Sequence, residues 1–220
     1  MANTFDRRSF YKTAGAGIAA CLAVTTVNAG GITLKGGIDL GSGDFGILSY
    51  AYALEQLEAG FYTAVLASPF KDMTSIEKSF LTDIRNDEIC HREWFKKVLN
   101  ANKVKDFTAE FDFSSIDFSD RSAVLQTARL LEDTGVSAFN GAGPLLTSGD
   151  FLGFAGKIVS VEARHAAYIR DLIQYGDYAG DDVINSNGMD AATPPAEILK
   201  RAGAFFKSHI DGSNLPTRQN

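Results

Sequence analysis

From about residue 45 onward, apolar residues recur every three or four positions, the spacing that places them on one face of an α-helix. The pattern predicts a first helix over about Phe45–Leu66, with Ser42 or Asp44 as its cap. A second runs over about Ser75–Asn100 behind Thr74, where Glu77 three residues on completes a capping box. A third spans about Asp120–Asn140, where "NGAGP" stops it, and a fourth spans about Asp150–Tyr175, where Gly176 does. A shorter fifth helix, "PPAEILKRAGAFFKSHI", starts behind Thr193 with prolines in its first turn. Strand-like alternation is confined to a weak signal near Ile32–Leu34 in the linker "GITLKGGIDLGSGDFG".

The links decide how these helices are arranged. Short turns join the first helix to the second and the third to the fourth, so each pair is expected to fold as an antiparallel hairpin. The segment "ANKVKDFTAEFDFSSIDFSD" between the pairs is long, polar and rich in Phe. Two hairpins joined by one long link match an all-α four-helix bundle with a crossover connection. The fifth helix carries an apolar stripe, Ile198, Leu199, Ala202, Phe205 and Phe206, expected to pack on that bundle.

Polar residues interrupt the stripes at particular places. In the second helix Leu81, Ile84, Glu88, His91, Phe95 and Val98 form one stripe, which puts an acid and an imidazole where the core is expected. The fourth helix repeats this with Ala155, Ile158, Glu162, His165, Ile169 and Leu172. Nine glutamates in 220 residues give a histidine about a 4% chance of a Glu three places before it, so two such pairs among three histidines are not coincidental. The other two helices supply Glu55 and Glu58, and Glu132, on similar stripes, and Tyr62 and Phe139 each follow a glutamate by seven residues. The two hairpins are therefore half-repeats of one pattern.

Buried carboxylates need positive charge nearby, and two imidazoles are too few for four acids. Two divalent cations would balance them, and the mix of oxygen and nitrogen donors favours iron, with manganese second, over tetrahedral zinc. Asp87, four residues before His91 on the same helix, is either placed to orient an imidazole through its other ring nitrogen or a solvated neighbour of Arg85. Glu58 is either an additional ligand or proton relay, or an acid at the bundle edge reaching solvent. Tyr62 is either core with a satisfied hydroxyl or a participant in redox chemistry. Cys90 reads as a small core residue, and the Phe-rich crossover as a lid over the bundle.

Composition and charge narrow the partners. The net charge of −6 and the lack of a basic patch exclude nucleic acid. Residues 1–29 carry Arg7-Arg8-Ser9-Phe10, a short apolar run and small residues at Val27-Asn28-Ala29, which reads as a twin-arginine type export signal cleaved near Ala29. The run is too short and too rich in small residues for a membrane span. The alternative is "IAAC", a lipobox-like stretch that would anchor a lipid at Cys21. Cleavage would leave 26 of the 27 acidic and 18 of the 21 basic residues, with Cys90 the one cysteine, so a periplasmic or secreted product would have no internal disulfide. The organisation expected is a signal over 1–29, a linker over 30–44, the bundle over 45–176, and a polar loop with the last helix over 177–220.

The stretches "LEQLEAGFY", "LLEDTGVSAFNGAG" and "VSVEARHAAYIR" resemble the ferritin-like superfamily, in wording closest to the subfamily that includes plant desiccation-related proteins. The resemblance covers roughly residues 45–206. It implies a dinuclear centre in which Glu55 and Glu132 are terminal ligands, Glu88 and Glu162 bridge, and His91 and His165 each hold one ion. It also implies redox chemistry with Fe(II) and oxygen or peroxide as substrates, with Glu58 and Tyr62 as the candidate catalytic side chains. The competing expectation is a stress or structural protein whose metals hold the bundle together. A homo-oligomer is left open.

Overall fold

The computed structural model describes residues 37–218. The expected export signal with its cleavage point near Ala29, the candidate lipid anchor Cys21 and the weak strand signal near Ile32–Leu34 lie outside the described residues. Five α-helices follow: α1 (Gly43–Ala67), α2 (Ser75–Ala101), α3 (Arg121–Ala142), α4 (Gly149–Ile173) and α5 (Pro195–Ala202). Two short strands, β1 (Ile38–Asp39) and β2 (Ile210–Asp211), pair in parallel and clasp the two ends of this region together. No helix among the described residues is long and apolar enough to cross a membrane.

Local chemistry sets the helix ends much as the sequence predicts. Thr74 and Glu77 form the reciprocal capping box at the start of α2. Asp120 caps α3 by accepting from the Ser122 amide, and Ser148 caps α4 by accepting from the Phe151 amide. Two of the acids concerned also join elements far apart in the chain. Glu77 accepts from Arg121 Nε at 2.7 Å, linking the start of α2 to the start of α3. Asp44, in the first turn of α1, accepts from the amides of Thr147 and Ser148 at 2.8 Å each, linking the starts of α1 and α4.

The α1–α2 and α3–α4 hairpins pack side by side, meeting chiefly through α1 and α3. The first helix is buried on every side from Gly46 to Ala59, more than a single stripe predicts. The crossover and α5 account for the difference. The crossover aromatics Phe111 and Phe113 pack on α1 beside Gly60 and Phe61, and the Ala109 amide donates to Gln56 Oε1 at 3.1 Å. Ile198 and Ala202 of α5 are buried in the main core.

Three details depart from the sequence reading. The fifth helix ends at Ala202 and tightens into a 3-10 turn over Gly203–Phe205 rather than running on to Ile210, and Pro194, not Thr193, occupies its N-cap. The third helix passes "NG" and ends in a 3-10 turn over Gly143–Leu145, where Pro144 can sit because the first turn needs no amide donor. Cys90 is half-buried rather than part of the core.

A buried cation holds the far end of α4. The Arg170 side chain is 2% exposed and pairs with Asp133 on α3 and with Asp177 and Asp182 in the following loop, at 2.7–3.2 Å. This network gives the polar loop after α4 a fixed attachment, although the loop has no periodic signal of its own.

Candidate metal centre

Each helix of the bundle delivers acids to one point on its axis: Glu55 and Glu58 from α1, Glu88 from α2, Glu132 from α3 and Glu162 from α4. Spacing explains the convergence. Glu88 and His91, and Glu162 and His165, are three residues apart, so each pair lies on one helix face one turn apart. The side chains of Glu55, Glu88, Glu132 and Glu162 are fully buried, and the two imidazoles are nearly so.

The distances resolve two half-sites. His91 Nδ1 lies 2.8 Å from Glu162 Oε1, 3.4 Å from Glu55 Oε2 and 3.5 Å from Glu88 Oε2. His165 Nδ1 lies 2.8 Å from Glu88 Oε1 and 3.6 Å from both Glu132 Oε2 and Glu162 Oε2. Glu88 and Glu162 thus turn one oxygen to each histidine, while Glu55 and Glu132 each face one. Glu55, Glu88, His91 and Glu162 can converge on one ion, and Glu88, Glu132, Glu162 and His165 on another.

The donor atoms suit a metal better than they suit one another. Both oxygens of Glu55, Glu88 and Glu162, Oε2 of Glu132 and Nδ1 of each histidine are buried without an aligned hydrogen bond. Buried polar atoms are seldom left so. Nine donor atoms facing a common centre are what coordination of a metal ion requires.

Electrostatics within the cluster run the same way. Burial drives Glu55 well above the ordinary carboxylate range and pushes Glu132 up to about 8, with the facing imidazoles only partly offsetting it. Burial acts likewise on Glu88, but contacts with His165 and His91 outweigh it and lower that carboxyl to about 2. Burial opposes charge on both imidazoles, yet the neighbouring carboxylates, Glu55 for His91 and Glu132 for His165, hold their protons well above the ordinary histidine value. Without cations the raised groups of the cluster keep protons.

A ferritin-like domain family model matches residues 43–175, which spans α1 through α4 and therefore every residue of this cluster. The chain belongs to the ferritin-like family. No curated protein matches the chain.

Within this ferritin-like bundle the accessory residues take definite places. Asp87 reaches across to the other histidine-bearing helix: its Oδ2 lies 3.4 Å from Nε2 of His165, on the ring nitrogen opposite the cluster. The Tyr62 hydroxyl donates to Glu132 Oε1 at 2.5 Å, and the ring is fully buried. Burial and the Glu132 charge beside it raise the phenol well above its ordinary value. Phe139, its counterpart in the half-repeat, stacks on Phe95 instead.

Glu58 is 3% exposed, so it is not an acid reaching solvent at the bundle edge. Burial and the charges of Glu162, Glu88, Glu132 and Glu55 drive it well above the ordinary range. The sequence offers no acid at the matching place on α3, where Gly135 stands, and the structure explains why. A Cβ on Gly135 would lie 2.9 Å from Glu58 Oε1, so the glycine leaves the space this fifth carboxylate fills. Gly135 is the site residue that sequence reasoning missed, and the signal was there in the broken half-repeat. Asp87, Tyr62 and the Gly135 gap all serve the half-site of Glu132 and His165, or the oxygens between the two halves, and none is duplicated around His91.

Proposed function

We propose that this protein holds a dinuclear iron centre, with manganese as the second choice, and that the centre carries out redox chemistry on oxygen or peroxide as a ferroxidase or peroxide scavenger. The carrying observation is the convergence of Glu55, Glu88, His91, Glu132, Glu162 and His165 with their lone pairs unsatisfied in the core. Bound iron would supply one-electron steps and a Lewis acid at the oxidant. Fe(II) itself is both the ion that loads the site and a substrate of the ferroxidase reading.

The side chains have separable tasks. Glu88 and Glu162 face both half-sites and would bridge; Glu55 and Glu132 would each terminate one; His91 and His165 present Nδ1 to one each. Asp87 fixes the His165 ring through the opposite nitrogen, which sets its tautomer. Tyr62 holds Glu132 in place through its hydroxyl. Glu58, buried and inclined to keep a proton, supports the enzymatic reading, because it is an acid available beside the cluster beyond those needed for charge balance. The complete burial of the four glutamates is the observation that favours the alternative, a stress or structural protein stabilised by its metals.

The N-terminal sequence supports export, with cleavage near Ala29 and a periplasmic or secreted product, or a lipid anchor at Cys21 in the alternative. The wording of the helices supports the desiccation-related subfamily and a role in stress protection.

The test is metal analysis of protein from its native compartment, then anaerobic Fe(II) loading and exposure to oxygen or peroxide. Two ions per chain and oxidation of Fe(II) faster than in buffer are expected. Unchanged metal content in the double substitution Glu88→Ala, His165→Ala would end the reading.

A further inference from the structure

The bundle axis carries a second feature beside the acidic cluster. Ala51 on α1 lies one turn before Glu55, and Phe95 on α2 lies one turn after His91. Phe139 on α3 lies two turns after Glu132, and Ala155 on α4 lies two turns before Glu162. Because helix direction alternates within each hairpin and α1 and α4 start at the same end, all four offsets point toward that end. At 1.5 Å per residue they are roughly 6 to 10 Å from the cluster. There these residues, with Leu48 and Tyr50, border a cavity of about 20 Å³ to which all four helices contribute.

Its size and chemistry select the occupant. The cavity has room for one small molecule, and its wall presents only apolar atoms. Tyr50 lines the cavity, its hydroxyl is buried without a hydrogen-bond partner, and no polar surface is presented to the space. A water needs two to four polar partners to stay in such a space, and apolar cavities of this kind remain dry and take apolar guests. Peroxide would give up its hydrogen bonds to water and receive none in return. A diatomic apolar gas loses nothing on entering.

We propose that this cavity is a binding and transit site for dioxygen, which makes dioxygen, not peroxide, the oxidant delivered to the cluster from this end of the bundle. The proposal rests on the redox reading of the metal centre. Xenon is the probe for the cavity, read by NMR on the metal-free full chain or in crystals under xenon pressure. Ala155→Leu, at a half-buried position, fills the space, and Leu48→Ala enlarges it.

One xenon bound beside Phe95 and Phe139, and lost in Ala155→Leu, is expected. The Fe(II)-loaded Ala155→Leu protein should react with dioxygen about tenfold more slowly and with hydrogen peroxide at the wild-type rate. Absence of xenon, or ordered water in its place, makes the cavity a packing void only and overturns the proposal. Equal slowing toward both oxidants also overturns it, because the substitution would then act on the metal centre. Should Ala155→Leu fail to fold, Leu48→Ala decides: greater xenon occupancy without slower reaction with dioxygen supports the route, and lower occupancy refutes it. Failure of the wild-type chain to bind Fe(II) sinks the metal reading instead, while the xenon result on metal-free protein still judges the cavity.

Discussion

Loading the cluster with divalent cations should release close to two protons per ion, and the number follows from the charges in the core. Without metal, four carboxylates face two imidazoles. The imidazoles hold their protons well above the ordinary value, and Glu55 and Glu132 hold theirs, Glu132 up to about 8. Near pH 7 these four raised groups together retain up to four protons, whereas ligands must be deprotonated to bind. Two divalent cations with four carboxylates and two neutral imidazoles carry no net charge. The exchange is thus about four protons for two ions, and the apparent constant for binding the pair should rise about four decades per pH unit between pH 6 and 7.

The assay is anaerobic mixing with Mn(II) or Fe(II) in weak buffer with a pH indicator, checked by calorimetry in two buffers of different ionisation enthalpy. Glu132→Gln, which cannot hold the proton, should lower the release to about three. At pH 9, above the Glu132 value, the wild-type release should fall by about the same amount. Release below one proton per ion, or release unchanged by Glu132→Gln, would refute the charge balance.

The metal-free protein should lose stability as pH rises. Glu132 is raised from 4.5 to about 8 and the histidines are raised above 6.5, so the fold binds more protons than the unfolded chain across these windows. Each such proton removes about 1.4 kcal/mol per pH unit, Glu132 between about pH 4.5 and 8 and the histidines above about 6.5, whereas Glu88, lowered to about 2, acts only below 4.5. Urea unfolding from pH 5 to 8 checks this, and the metal-loaded protein should be much flatter. Tyr62→Phe and Asp87→Asn should each weaken one of the two bound ions about tenfold and leave the other, seen as two separated steps in a Co(II) titration. Gly135→Ala should forgo the roughly 1 kcal/mol that alanine ordinarily adds in a helix, because its Cβ meets Glu58, and should shift the Glu58 carboxyl stretch in the infrared. Arg170→Met should cost about 3 kcal/mol in urea unfolding, since it leaves Asp133 without its buried partner.

The amino-acid pattern alone determined the four bundle helices, the capping box of the second, the hairpin pairing and which acids and imidazoles lie on the apolar stripes, because helical periodicity is a local property and acids on an apolar stripe stand out against it. The repeated Glu-x-x-His even marked which helices share a role. What it could not determine depends on which residues meet across the bundle. Asp87 reaches His165 because α2 and α4 approach each other there. Glu58 is buried because Gly135 on another helix has no side chain, and α1 is enclosed because the crossover and α5 fold over it. Arg170 is buried among aspartates that lie as far as 37 positions away in the chain. The fifth helix stops at Ala202 as the chain after it pairs with the crossover at Glu110–Asp112 and then with β1, rather than continuing its own hydrogen bonds. Each of these contacts joins positions whose separation in sequence is unrelated to their distance in space, so only the packed structure could decide them.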